Sequence, residues 1–273
     1  MTFRQTVETL MSAGIESARA EAAILFERFC GVTGAELPLV YDKEFVSPEL
    51  SKAIEKRVLH IPLQYIIGRW DFFGLELEVN EACLCPRPDT EILVETSLLL
   101  LPLNASFLEL CTGSGCISIA LCNARQDLRG IATDKFQNTL KVAVKNAENH
   151  SVIDRLSLIQ ADLFEEPDYI GDKKFNAIIS NPPYIKSGEI VSLSPEVRHE
   201  PLAALDGGAD GLDFYRHIVG NYAKYLSKDG IMIFEIGFDQ GRELCDIADD
   251  HGYTCEIIKD LEKNDRVAVV KVR

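Results

Sequence analysis

Asn181, Pro182, Pro183 and Tyr184 directly follow an apolar run over residues 175–180. Neither proline has a backbone N–H, so neither can extend a strand, and each ring fixes φ near about −65°. The residue before each proline is held extended. This pattern predicts a strand that ends in a stiff turn, with the Asn181 carboxamide and backbone carbonyls at its tip.

A turn of this kind can hold a planar –NH2 group, which needs two hydrogen-bond acceptors close to its plane. The Asn181 side-chain oxygen and the Pro182 carbonyl could supply them, and Tyr184 could stack on the flat face of the group. We therefore expect Asn181, Pro182, Pro183 and Tyr184 to bind substrate, and Asn181, Pro182 and Tyr184 to act in catalysis on an amide or amino nitrogen. The alternative is a rigid exit turn in which Asn181 only caps the chain.

A second motif, Glu-Leu-Cys-Thr-Gly-Ser-Gly over residues 109–115, joins a predicted strand to a predicted helix. Gly113 and Gly115 allow a tight turn and a close approach to a ligand, and the helix start offers N–H groups. Asp134 ends the next predicted strand, where a carboxylate suits the two hydroxyls of a ribose. This spacing predicts a site for an adenosine-type cofactor. A tight turn whose acid caps a helix is the alternative.

The loop favours S-adenosylmethionine over a nicotinamide dinucleotide. Ser118 stands where the dinucleotide fingerprint has its third glycine, and Glu109 would repel a pyrophosphate but suit a cationic or amino-bearing ligand. Asp162, after the third strand, could accept from the adenine amino group, with Leu163 against the ring. The expected cofactor-binding residues are Glu109, Cys111, Thr112, Gly113, Ser114, Gly115, Asp134, Asp162, Leu163 and Asn181.

Composition narrows the choice of partner. The 273-residue chain has a net charge of −15, with 43 acidic against 28 basic residues. Proteins that bind nucleic acid usually cluster Lys and Arg against the phosphates, so a direct nucleic-acid partner is disfavoured. No apolar stretch approaches the length of a membrane span. The eight cysteines and five histidines lack metal-ligand spacing, so we expect no metal site, and reduced cysteines in a cytoplasmic protein.

The order of elements predicts an α/β protein with a small helical bundle at its N-terminus. Residues 1–68 show helical patterns, including a helix from Ser47-Pro48 to about Leu59, and residues 69–84 alternate as in a hairpin linker. Residues 85–273 alternate strands and helices, which is typical of a mostly parallel sheet. The seven expected strands cover residues 106–111, 130–134, 156–161, 175–180, 230–236, 253–259 and 267–272.

These motifs together resemble the Rossmann-like methyltransferases that act on planar nitrogens, among which Asn-Pro-Pro-Tyr recurs. The flanking sequences at residues 66–68, 72–73, 86–91, 200–208 and 210–216 are similar to those of the protein-(glutamine-N5) methyltransferase family, over essentially the whole chain. The resemblance implies a seven-stranded sheet whose last strand is antiparallel. It also implies methyl transfer from S-adenosylmethionine to the glutamine of the Gly-Gly-Gln motif in peptide chain release factors. The N-terminal helices would grip that protein substrate, and we expect a monomer.

The chain departs from the family pattern at the cofactor loop. Glu109 replaces the usual Asp, and Cys111 replaces the first Gly, so Cys111 is expected to need an ordinary φ and room for its thiol. Leu163 stands where an aromatic residue often lies beside adenine. Arg87 and Glu91 could order the domain junction or contact the edge of the cofactor.

Other interpretations remain open from sequence. Glu196, His199 and Glu200 follow the turn in a loop that could cover the site, with His199 a surface residue rather than a base. Phe214 and Tyr215 are expected in a helix core. The alternative functions are a nucleic-acid amino methyltransferase, a non-catalytic adaptor and a nicotinamide oxidoreductase.

Overall fold

The computed structural model describes residues 1–272 and divides into two compact units. The first comprises Met1–Arg69 together with Leu193–Glu200, and the second comprises Trp70–Ser192 and the chain from Pro201 onward. None of the helices within residues 1–272 is both long and apolar enough to cross a membrane.

The first unit is a helical bundle. Thr2 and Gln5 form a capping box at the first helix, and the Ser47 hydroxyl accepts from the Leu50 N–H at 3.1 Å, which confirms the helix start expected at Ser47-Pro48. The Phe3 and Phe26 rings pack edge to face in the core, with centroids 5.4 Å apart. The five helices are α1 (Phe3–Ser12), α2 (Ala18–Cys30), α3 (Leu37–Val40), α4 (Pro48–Val58) and α5 (Leu63–Ile67).

The segment Leu193–Glu200 belongs to this helical unit, although it follows the Asn-Pro-Pro-Tyr turn by only a few residues. Buried Arg57 on α4 pairs with Glu21 at 2.5 Å and with Glu196 at 3.0 Å, and His60 Nδ1 lies 2.8 Å from Glu196 Oε1. A His199 ring nitrogen lies 3.0 Å from the Leu59 carbonyl. Glu196 and His199 therefore anchor the segment within the first unit.

The second unit opens with a hairpin of β1 (Arg69–Phe72) and β2 (Leu75–Glu78). Phe73 and Gly74 both have positive φ, at 51° and 73°, as a two-residue hairpin turn that matches strand twist requires. The Phe73 N–H donates to Glu91 Oε1 at 2.8 Å. This hydrogen bond ties the hairpin turn to Glu91, and the two roles expected for Glu91, at the domain junction or at the edge of the cofactor, stay predictions.

A seven-stranded sheet follows, in the order β5-β4-β3-β6-β7-β9-β8. All neighbouring pairs from β5 to β7 are parallel, and only β9 runs against its neighbours, which confirms the expected α/β fold with an antiparallel last strand. The strands are β3 (Ser106–Leu110), β4 (Arg129–Asp134), β5 (Leu156–Gln160), β6 (Phe175–Ser180), β7 (Leu226–Glu235), β8 (Tyr253–Lys259) and β9 (Asp265–Val272).

The sheet has apolar side chains on both faces, as a doubly covered parallel sheet requires. Successive residues alternate between two core clusters: Phe107 and Ile179 lie in one, Leu108 and Ile178 in the other. The covering helices are α6 (Thr90–Leu100), α7 (Cys116–Ala124), α8 (Gln137–Asn149), α9 (Asp213–Tyr222) and α10 (Gly241–Asp250). The order reverses between β3 and β6, where ligands of such sheets bind.

Two details differ from the sequence-based expectations. β7 begins at Leu226 rather than Gly230, because a register shift opposite Phe175 lets the polar residues before Gly230 join the strand. Cys245 on α10 and Cys255 on β8 form a disulfide with a Cα–Cα distance of 5.1 Å, so the expectation that all cysteines are reduced is wrong.

Candidate active site

A cavity of about 650 Å³ lies in the second unit at the carboxyl ends of β3, β4 and β6. Its size and mostly apolar lining are typical of small-molecule sites. Of the residues expected from sequence at the site, the cavity lining brings together Cys111, Thr112, Gly113, Ser114, Asp134, Asp162, Leu163, Asn181 and Pro183.

The loop after β3 adopts backbone conformations that its sequence predicts only in part. Gly113 has a φ of 57° and Gly115 a φ of 82°, and a Cβ on Gly115 would lie 2.9 Å from Ile119 Cδ1. Cys111 has a φ of 59°, so the expectation of an ordinary φ is wrong. An L-residue in this region costs roughly 1–2 kcal/mol relative to the right-handed region, which explains why glycine suits the position.

Two hydroxyls in this loop have no protein partner at normal hydrogen-bond distance. Within the described residues, Thr112 Oγ1 and Ser114 Oγ are buried and unpaired by this measure, and both residues line the cavity. Buried polar groups are normally satisfied, so such atoms point to a polar ligand. The hydroxyls are therefore suited to the polar part of a ligand such as the expected adenosine-type cofactor.

Glu109 lies beneath the cavity rather than in its lining. It is fully buried, and its Oε2 accepts from the Ser118 N–H at 3.2 Å and from the Ser118 hydroxyl. Burial raises the pKa of Glu109 to about 7, and the Ser118 hydrogen bonds oppose the shift. Gly115 also lies outside the lining, where it permits close packing of α7.

The two acids expected at the cofactor end both line the cavity. Asp134 accepts from the Gly113 N–H and from the Phe136 N–H, each at 3.0 Å, so it ties the loop after β3 to the end of β4. Burial raises the pKa of Asp134, against these backbone hydrogen bonds. Asp162 pairs with Lys135 at 2.8 Å. Both carboxylates keep lone pairs for a ligand, since a carboxylate offers about four acceptor sites.

The Asn-Pro-Pro-Tyr turn presents only part of itself to the cavity. Asn181 and Pro183 line it, whereas Pro182 and Tyr184 do not. The Asn181 side-chain nitrogen donates to Thr90 Oγ1 at 3.2 Å. The Tyr184 phenol donates to Glu235 Oε1 at 3.3 Å, and burial, with the nearby Glu235 charge, raises the Tyr184 pKa so that the phenol stays protonated.

The exit of the turn is clamped by the glycine-rich segment after residue 200. Ile185 forms a parallel bridge with Asp206, and Gln240 Nε2 donates to the Tyr184 carbonyl at 2.9 Å and to the Gly211 carbonyl at 3.1 Å. A Cβ on Gly211 would lie 2.3 Å from the Tyr184 carbonyl oxygen, and its φ is 78°. Glycine is therefore required there for the close approach.

Sequence reasoning missed several cavity residues. Phe136 and Phe164 each stand two positions after an expected acid, Asp134 and Asp162, and that shared spacing was the available signal. Phe214, expected in the helix core, lines the cavity, while Tyr215 is fully buried as expected. Arg87 lines the cavity, which favours the cofactor-edge role left open for it. The other missed lining residues include Cys83, Cys85, Thr90, Cys116 and Lys135.

Comparisons with known proteins agree across both units. Residues 2–68 match the family model described as the PrmC N-terminal domain, and residues 88–200 match the methyltransferase small domain. The solved structure of a methyltransferase from Pyrococcus furiosus superposes with a TM-score of 0.55 at 17% identity, covering 73% of this chain and 89% of that one, which supports the fold.

Sequence relatives extend over nearly the whole chain. The release factor glutamine methyltransferase of Geobacter sulfurreducens is 37% identical, with 94% of this chain and 91% of that protein aligned. The protein of the same name from Aquifex aeolicus is 33% identical over 97% of this chain and 95% of its own length. Similarity of this extent, together with both domain matches and the methyltransferase fold, shows that the chain belongs to the release factor glutamine methyltransferase family.

Proposed function

We propose that this enzyme transfers a methyl group from S-adenosylmethionine to the side-chain amide nitrogen of the glutamine in the Gly-Gly-Gln motif of a peptide chain release factor. The observation that carries the proposal is that Asn181 lines the same cavity as the loop after β3. The names of the relatives support a release factor as substrate.

The cofactor would be held by the loop after β3 and by the acids at the ends of β4 and β5. Thr112, Ser114 and the Gly113 backbone lie where polar ligand atoms would meet them, Asp134 suits the ribose hydroxyls, and Asp162 suits an adenine amino group. Phe136, Leu163 and Phe164 supply apolar surface for the adenine ring. When bound, S-adenosylmethionine supplies an activated methyl group on a cationic sulfur.

The protein acts mainly by positioning the amide. A primary amide nitrogen is a weak nucleophile because its lone pair is delocalised into the carbonyl. Asn181 Oδ1 would accept one of its two N–H groups and favour the positive charge that builds on nitrogen as its lone pair is used. The second acceptor would be the Pro182 carbonyl, although Pro182 is not among the residues that line the cavity. One of the two N–H protons then leaves to water without an ionised general base, and S-adenosylhomocysteine remains as the other product. Fixed acceptors of this kind lower the barrier through orientation and preorganised electrostatics.

The N-terminal helical unit is proposed to bind the body of the release factor, because one glutamine in a loop offers little contact area. The net charge of −15 argues against a nucleic-acid substrate for the same turn.

Replacement of Asn181 tests this proposal. Asn181→Ala removes one of the two acceptors, and we expect kcat for release-factor methylation to fall by about a hundredfold or more. The affinity for S-adenosylmethionine, measured by calorimetry, should change little. Asn138→Ala, an exposed asparagine on α8, is the matched control and should retain full activity. Wild-type rates in Asn181→Ala with cofactor still bound would refute the assigned role.

A further inference from the structure

The orientation of the Asn181 side chain decides whether the proposed reaction can occur. Its carboxamide has an oxygen that accepts and an –NH2 that donates, and only the oxygen can receive an N–H from a substrate amide. In the structure the –NH2 group donates to Thr90 Oγ1 at 3.2 Å. The oxygen is thereby left for the cavity, so Thr90 selects the productive orientation.

Thr90 can serve as this acceptor only if its own hydroxyl proton is directed elsewhere. Thr90 is the first residue of α6 and, although it borders the cavity, only 2% of it is exposed, which favours a protein acceptor for that proton. An acceptor close enough for Thr90 to influence its charge is Glu235, at the end of β7, which is 1% exposed. Its Oε1 accepts from the Tyr184 phenol, while Oε2 is buried with no partner at normal hydrogen-bond distance within residues 1–272.

We propose that Thr90 and Glu235 are positioning residues for methyl transfer, which form with Asn181 a directed hydrogen-bond chain, the Thr90–Glu235 relay. In this chain the Asn181 –NH2 donates to Thr90, and the Thr90 hydroxyl donates to the Glu235 carboxylate. The same carboxylate holds the Tyr184 phenol, so one buried group fixes both polar side chains of the turn. The relay rests on the proposed function of Asn181 as an acceptor for the substrate amide.

The relay depends on the charge state of Glu235. Burial raises the pKa of Glu235 to about 7, and the nearby Thr90 hydroxyl and the positive charge of Arg266 oppose that shift. The titratable and charged groups that face Glu235 come from five elements: Asp89 before α6, Cys116 on α7, Tyr184 after β6, Tyr215 on α9 and Arg266 on β9.

Protonation of Glu235 reverses the direction of the hydrogen bonds in the Thr90–Glu235 relay. A neutral Glu235 can donate to Thr90 Oγ1, which then turns its own hydroxyl toward Asn181. That hydroxyl needs an acceptor, so the carboxamide turns its oxygen inward and presents –NH2 to the cavity. A donor facing the substrate N–H groups cannot hold them, so the relay switches off as pH falls through about 7.

The first test removes the Thr90 hydroxyl at constant shape. Thr90→Val should lower kcat with release factor by roughly tenfold to a hundredfold, while the KM for S-adenosylmethionine changes little, because the acceptor is misdirected rather than lost. Thr90→Ser keeps a hydroxyl and should restore most of the rate. Equal rates for the Val and Ser variants would overturn the relay.

The second test uses pH, measured as kcat with both substrates saturating so that changes in cofactor affinity do not contribute. Wild-type kcat should fall about tenfold for each pH unit below about 7, following the ionised fraction of Glu235. Glu235→Gln cannot ionise and should lose this dependence. A Glu235→Gln profile that coincides with the wild-type profile would also overturn the relay.

A third measurement is independent of activity and separates the relay from the proposed function. The shifts in thermal midpoint of Thr90→Val and Glu235→Gln should fail to add in the double variant, because each removes the same hydrogen bond. Additive shifts contradict the relay even if the enzyme is active. Absence of methylation by the wild-type enzyme, together with non-additive shifts, would contradict the proposed function and leave the relay intact.

Discussion

Cys111 is the residue of the loop after β3 whose conformation fits its side chain least well. Its φ of 59° is in the left-handed region, and the residue is partly buried, lining the cavity on one side and packing against a core cluster on the other. Burial raises the pKa of this thiol, with the charge of Asp134 adding to the shift, so the group is a poor nucleophile at neutral pH. The thiol therefore acts as a small apolar group at a position that favours glycine.

Substitution of Cys111 measures the backbone cost directly. Cys111→Gly and Cys111→Ala both remove the thiol, but only glycine adopts positive φ without a penalty. We expect the glycine variant to exceed the alanine variant by about 1 kcal/mol in the free energy of unfolding, measured with urea. Equal stability of the two variants, or a more stable alanine variant, would show that the loop is not strained there.

At the scale of elements, the site is assembled by neighbouring strands that end at the same edge. β3 and β6 are paired in register from Phe107 opposite Ala177 to Leu110 opposite Ser180, so their exit loops emerge side by side. The loop after β3 and the Asn-Pro-Pro-Tyr turn thus meet through sheet topology alone. The hairpin before α6 is a separate element, joined to that helix through Glu91.

The Glu91 contact gives a testable contribution to the stability of the hairpin. Glu91→Ala removes the acceptor of the Phe73 N–H, and we expect the free energy of unfolding to fall by about 1–2 kcal/mol. Glu95→Ala, an exposed change one turn later on α6, should stay within about 0.5 kcal/mol of wild type. Matching losses in the two variants would argue against a specific role for the hairpin contact.

An element could be predicted from sequence where neighbouring residues alone determine it. β6 is apolar and ends at two prolines, and α4 starts at a Ser-Pro cap, so both were predicted correctly from a few residues. The sequence predicts the start of β7 at Gly230, later than its observed start at Leu226, because Lys228 and Asp229 interrupt the apolar pattern. The sheet tolerates these two residues beside an irregular register. The placement of Glu196 beside Arg57 depends on contacts 139 residues apart, which no local pattern reports.

The same distinction between local patterns and long-range contacts applies to the residues of the site. Residues that belong to a motif, such as Asn181 and Asp134, were found because their spacing reflects the turn they make. Thr90 and Glu235 were missed because each reaches the turn only through the packing of α6 and β7 against it.

At the scale of the whole molecule, two fully buried carboxyl groups set the pH dependence of stability. Burial raises the pKa of both Glu109 and Glu235 from 4.5 to about 7. Between these pH values the folded state binds more protons than the unfolded state, so the free energy of unfolding should fall as pH rises from about 4.5 to 7. The lowered pKa values of Asp162, Asp210 and Asp260 act below this range.

Urea unfolding at pH 5.0 and 7.5 checks this expectation. Wild type should lose roughly 2–4 kcal/mol across the interval, and the double variant Glu109→Gln/Glu235→Gln should lose much less, because neither amide titrates. A double variant with the wild-type pH dependence would show that other groups govern it.

The most direct test of the central claim is where the methyl group goes. The enzyme is incubated with methyl-labelled S-adenosylmethionine and a purified release factor, and the labelled residue is located by mass spectrometry. The account predicts one methyl group on the side-chain nitrogen of the Gly-Gly-Gln glutamine, and no label on a release factor in which that glutamine is alanine. Label that persists in the alanine variant, or that appears on nucleic acid instead of the release factor, would contradict it.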